Sequence, residues 1–183
     1  MRWPDYAGLN VPFLTTRELN FMKILNYPAL ANQYLSLAPG QRAAFLASWV
    51  DPLPFNQAQV QNLSQAWTEP RDIDTLEWFA SPDDICRAFA GLHQLAARPA
   101  LAPLDPILSA NDGGIGLDPA QWPTVWFKGG SDPGVLTLGY LSTNSKDQTF
   151  VVVAMLANPA AALPPQAIVV LQEIVRAAFE LAG

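Results

Sequence analysis

Thr124-Val125-Trp126-Phe127-Lys128-Gly129-Gly130-Ser131 decides how this chain is read. A β-branched and aromatic run ends in a cation and two glycines, a usual way for a strand end to bring backbone N–H groups close to an anionic ligand. Two more apolar runs follow, Gly134 to Thr143 and Thr149 to Asn158, separated by the polar stretch Ser142 to Gln148. The pattern predicts three strands, at about 124–128, 134–143 and 149–157, with the last two joined as an antiparallel hairpin. Pro164-Pro165 then opens a C-terminal helix with the stripe Ile168, Leu171, Ile174 or Val175, Ala178 and Phe179.

Upstream, helical signals dominate. Thr15 with Glu18 three residues on reads as a capping box for a helix to about Asn26. A second helix is expected from Pro28 to Leu37. A third runs from Pro39 to Val50, burying Ala43, Phe45 or Leu46, and Trp49. A fourth is capped by Asn56, with the stripe Val60, Leu63 and Trp67. Ser81-Pro82-Asp83-Asp84 is the clearest start: a cap, a proline at the first helical position and two carboxylates at the positive end of the dipole. Ile85, Phe89, Leu92 and Ala96 form its buried face. The expected fold is α+β in one domain, 1–183: an irregular arm (1–14), a helical part (15–97), a loop (98–123), then a three-stranded antiparallel sheet packed by the C-terminal helix (124–183). Nothing before residue 124 reads as a strand. The chain has 17 prolines, roughly twice the usual ~5% share. They fall mainly between these elements, as in short helices with stiff connections.

Composition narrows the function classes. Half the residues are apolar and 14% are charged, as in a globular, soluble protein and not a disordered acidic one. A net charge of −6 argues against nucleic acid and against an anionic membrane surface. No apolar run approaches the ~18 residues of a membrane span. Residues 1–5 lack the apolar core of a signal peptide, so a cytoplasmic location is the expectation. One cysteine, Cys86, leaves no intrachain disulfide, and no His/Cys/carboxylate cluster has metal spacing, so neither metal nor cofactor is expected. Cys86 and His93 share a helix but lie seven residues, ~10 Å, apart, too far for a nucleophile–base pair; both read as packing residues. The six tryptophans are scattered over different elements and read as core, not as a stacking platform. Asp72, Asp74 and Glu77 read as a solvated acidic loop.

The Lys128-Gly129-Gly130-Ser131 box resembles the K-T-G motif of the serine β-lactamases and penicillin-binding proteins. The surrounding order is also that of the C-terminal end of such hydrolases: strand, box, Pro133-Gly134, long strand, polar hairpin, apolar strand, amphipathic helix. The helix at Ser81 to Leu92 and the segment Phe13 to Leu19 resemble helical parts of the family. The resemblance covers residues 78–183 well and 10–77 loosely. It implies that Lys128 supplies positive charge toward a substrate carboxylate and that the Ser131 backbone N–H contributes to an oxyanion hole, with Gly129 in place of the family's hydroxyl residue. Arg2 to Asn10 faintly resembles the family's omega loop without its Glu.

The family's other motifs are missing. No serine is followed by lysine three residues later, and there is no S-D-N triplet. Thr143-Asn144-Ser145-Lys146 is the nearest approach to S-x-x-K, and Ser131-Asp132-Pro133 the nearest to S-D-N. The resemblance therefore implies a β-lactamase-like relative without its nucleophile half, inactive in acyl transfer alone. The alternative is a non-enzymatic interaction module whose unpaired sheet edge takes a second chain or a second copy of itself.

Overall fold

The computed structural model describes residues 10–183, so the omega-loop comparison and most of the expected arm lie outside the described residues. These residues form two compact units. One runs through Ala80 and includes Asn158–Ala162; the other comprises Ser81–Ala157 and Leu163–Gly183.

The first unit is helical. Helix α1 (Thr16–Asn20) has the expected capping box: Glu18 N–H donates to the Thr15 hydroxyl and Thr15 N–H to the Glu18 carboxylate. It continues as a π-helical turn, Phe21–Leu25. Helices α2 (Ala29–Ser36), α3 (Pro39–Phe45, continued by a π turn, Leu46–Val50) and α4 (Gln57–Gln65) follow. Leu19, Phe21, Met22, Ala31, Tyr34, Leu46, Val50 and Leu76 form the core. Two expected faces differ. Trp49 is 67% exposed, and α4 buries none of its residues, because Leu46 and Val50 take the inner face.

The acidic run is also less solvated than its charge implies. Glu77 is half-buried and ion-pairs with the buried Lys23 ammonium, which lies 5.2 Å from the Trp67 ring centre. Arg71 sits 4.7 Å from the centre of Tyr27, and one Asp72 carboxylate oxygen is buried; Asp74 alone of the three is fully exposed. Burial, with Asp72 nearby, pushes the Tyr27 phenol upward.

The second unit holds the sheet: β1 (Thr124–Asp132), β2 (Val135–Thr143) and β3 (Thr149–Ala157), antiparallel in the order β1-β2-β3. This is the α+β arrangement read from the sequence. Strand alternation divides the side chains between two faces. Leu136, Leu138 and Tyr140 pack with Phe127, Val152 and Ala154 under helix α7 (Ala167–Ala182), whose inner residues are Ala167, Leu171, Val175 and Phe179. Val175 thus takes the inward position, while Ile168 and Ile174 are 42% and 57% exposed. On the opposite face, Trp126, Leu141 and Val151 meet Ile85, Phe89 and Leu92 of helix α5 (Pro82–Ala96). Ser81 caps it as the sequence predicts, and Ser81 and Asp84 also exchange hydrogen bonds. The expected loop 98–123 contains a 3-10 turn, Pro99–Leu101, and helix α6 (Leu104–Leu108). Pro99 and Pro106 occupy first-turn positions, where a missing N–H costs nothing.

Candidate functional site

The Lys128-Gly129-Gly130-Ser131 box lies inside β1. The strand does not end at Lys128 but runs to Asp132, because β2 keeps pairing with it: Lys128 opposes Gly139, Gly129 opposes Leu138, Gly130 opposes Thr137 and Ser131 opposes Leu136. The turn comes at Pro133-Gly134, where Pro fixes φ and Gly134 supplies φ +87°.

This register sets the faces. Lys128 shares the α5 side of the sheet with Trp126; Phe127, Gly129 and Ser131 share the α7 side. The Lys128 and Ser131 side chains therefore point to opposite faces, and both residues are exposed. The Lys128 ammonium donates to the Gly129 carbonyl next to it.

Gly129 has a steric reason. A Cβ there would sit 2.7 Å from the Phe127 ring and 3.4 Å from the Thr137 carbonyl oxygen. The ring is held in turn by the 111–117 loop, where a Cβ on Gly113 would also meet it at 2.7 Å, and by Tyr140, with ring centres 4.9 Å apart. Asp112 organises that loop by accepting the Gly114 and Gly116 N–H groups at 2.9 and 3.0 Å. These bonds hold its carboxyl below the ordinary carboxylate range. A folded-state pKa below the unfolded value stabilises the fold above the unfolded pKa, and the contribution disappears as pH falls through the folded value. The Gly114 and Gly116 amide NMR shifts are expected to move together below about pH 4; pH-independent shifts would mean that Asp112 does not hold the loop.

On Lys128's face, two residues back along β1, lies a cavity of about 220 Å³ lined by His93, Asp105, Trp126, Thr143, Asn144 and Asp147, among others. Trp126 Nε1 donates to Asp105 Oδ1 at 2.7 Å, and the His93 ring stands edge-on to the Trp126 ring at 5.6 Å. Sequence reasoning missed this grouping. Asp105 lies on α6, inside a segment that read as loop, and His93 is an exposed cavity-wall residue more than a core one. The lining offers carboxylates, an imidazole, hydroxyls and an amide, hence hydrogen bonding to a small polar ligand.

Two serine hydroxyls are used structurally: buried Ser142 donates to the Thr124 carbonyl at 2.6 Å, and Ser109 to the Asp105 carbonyl at 2.7 Å. The Thr143-to-Lys146 segment is not a nucleophile–base pair. The Thr143 hydroxyl bonds that of Thr149 at 2.8 Å, while Lys146 Nζ donates to the Gly183 carbonyl at 2.8 Å. The Cys86 thiol is raised by burial and then by Asp83, the opposite of an activated thiolate. Of the tryptophans, Trp122 and Trp126 are core, but Trp49 and Trp78 are exposed. Among the described residues no cluster of His, Cys and carboxylates suits a metal ion, and no helix is long and apolar enough to cross a membrane.

No family model and no curated protein matches the chain.

Proposed function

We propose that this chain is a relative of the β-lactamase-like serine hydrolases that lacks the nucleophile motif and performs no acyl transfer alone. The observation that carries the reading is the placement of Lys128-Gly129-Gly130-Ser131 within an extended strand, its lysine and serine exposed, in a sheet ordered β1-β2-β3 with the C-terminal helix across one face. On the free side of an extended strand alternate backbone N–H groups point outward beside one cation, toward an anionic ligand. If another chain supplied the serine, that serine would attack an amide or ester carbonyl. Lys128 would then hold a substrate carboxylate, and an aimed Ser131 N–H would contribute about 3 kcal/mol at the oxyanion.

The test pairs two measurements. Incubation with a fluorescent penicillin or a fluorophosphonate, followed by intact-mass spectrometry, is expected to give no adduct; a mapped adduct would reveal a working nucleophile and end the claim of inactivity. Unreacted penicillin is expected to shift the Lys128 to Ser131 amide resonances weakly, and Lys128→Ala to abolish the shifts. Resonances that ignore the ligand would sink the hydrolase reading.

A second reading, an interaction module, rests on a different observation: β3 pairs only with β2 among the described residues and carries no charged residue.

A further inference from the structure

The cavity beside Trp126 has a chemical bias that the Lys128 box does not use. Two carboxylates, Asp105 and Asp147, and the His93 imidazole line it, and among the described residues no lysine or arginine does. The neighbouring cations are engaged elsewhere. Lys128, two residues along β1 on this face, donates to the Gly129 carbonyl, and Lys146, next to Asp147, donates to the Gly183 carbonyl. The rest of the lining includes the buried, apolar Trp126 and Leu141.

Both carboxylates stand on buried supports. Trp126, 2% exposed, donates from Nε1 to Asp105 Oδ1 at 2.7 Å, and the Asp105 carbonyl accepts the Ser109 N–H and hydroxyl at 3.0 and 2.7 Å. A carboxylate has about four acceptor sites, so the indole leaves Asp105 able to accept more. Asp147 belongs to the hairpin loop built on Asn144, which is 3% exposed. The Asn144 amide oxygen accepts the Lys146 and Gln148 N–H groups at 3.0 and 2.9 Å, and its carbonyl accepts the Asp147 N–H at 3.0 Å. Acceptors placed before a ligand arrives reduce the ordering cost of binding it.

From this lining we infer that the cavity binds a small organic cation, a short alkylammonium whose charge faces Asp105 and Asp147 and whose carbon chain lies against Trp126 and Leu141. An anion would meet two carboxylates. A neutral polar molecule would gain hydrogen bonds but nothing from the charges. A bare metal ion lacks a suitable cluster of ligands among the described residues. The volume, about 220 Å³, is below the ~300–1,000 Å³ of drug-sized sites, so the occupant has only a few carbons.

The site is opposite in sign to the Lys128 box, goes beyond the hydrolase reading and is scored separately from it, since penicillin is an anion. His93 is the chain's only histidine, so its ring resonances report on the cavity without ambiguity. Titration with butylammonium at fixed ionic strength is expected to shift them saturably in the millimolar range. Butanol and butyrate, of similar size, are expected to bind at least tenfold more weakly. Asp105→Asn keeps an acceptor for the indole, and Asp147→Asn suits the φ of +61° at that position. Each is expected to weaken butylammonium about threefold with unchanged circular dichroism, as for exposed charge pairs. Glu173→Gln, on α7 across the sheet, removes the same charge and is expected to change nothing. No saturable shift with butylammonium overturns the inference. Equal binding of butanol does so too, and needs no variant. Affinity that ignores both asparagine variants, or that falls equally with Glu173→Gln, overturns it as well, because attraction would then come from net charge and not from this lining.

Discussion

Replacing Phe179 by alanine is expected to remove about 3–5 kcal/mol, a large share of the ~5–15 kcal/mol that typically holds a native fold. Phe179 is fully buried, and its ring meets Trp122 edge-on with centres 5.0 Å apart. Trp122 in turn meets Phe150 of β3 at 5.7 Å. This aromatic chain joins the last turns of α7 to the sheet, so truncation removes transfer energy, leaves a cavity and loses an edge-to-face contact worth ~0.5–1.5 kcal/mol. Urea unfolding at a fixed chain concentration is the measurement, because association would add its own stability. The midpoint should fall with the m-value preserved. Glu180→Ala, one residue along and exposed, should change stability by no more than about 0.5 kcal/mol. Equal effects from the two variants would mean that α7 does not dock through Phe179.

Period and capping explain how much of this was legible. The three strands, the hairpin between β2 and β3, the Thr15 and Ser81 caps and the docking of α7 each follow from local chemistry: alternation, turn residues, a hydroxyl before a helix. The failures needed tertiary information. Trp49 and the α4 stripe have helical spacing, but Leu46 and Val50 had already filled the inner face of that unit. Ile168 and Ile174 are as hydrophobic as Val175, and only the direction of the sheet chooses between them. The acidic run read as solvated because nothing local announces Lys23, 54 residues away from Glu77. The cavity beside Trp126 draws on α5, α6, β1, β2 and the hairpin loop, so no window of sequence contains it. The Lys128 box was visible as a string. Its facing was not, because a one-residue slip of β1 turns Lys128 from the α5 side to the α7 side.

That facing has its own test. Gly129→Thr, which writes the family's K-T-G into the chain, is expected to destabilise it by about 1–3 kcal/mol, the usual cost of forcing atoms into a filled site. The new Cβ would fall 2.7 Å from a Phe127 ring that cannot swing aside, being bounded by Gly113 on the loop and Tyr140 on β2. The Thr137 carbonyl, 3.4 Å from the Cβ, closes the space further. The cause is one contact, so it should vanish with the ring. In a Phe127→Ala background, itself costly, the added threonine should be nearly neutral, a coupling of about 1–3 kcal/mol in a double-mutant cycle. Additive effects would show that the Phe127 ring does not fill the space beside Gly129. A neutral Gly129→Thr in the otherwise unchanged chain would go further: it would mean that β1 is shifted by one residue, with Trp126 and Lys128 carried together to the face under α7.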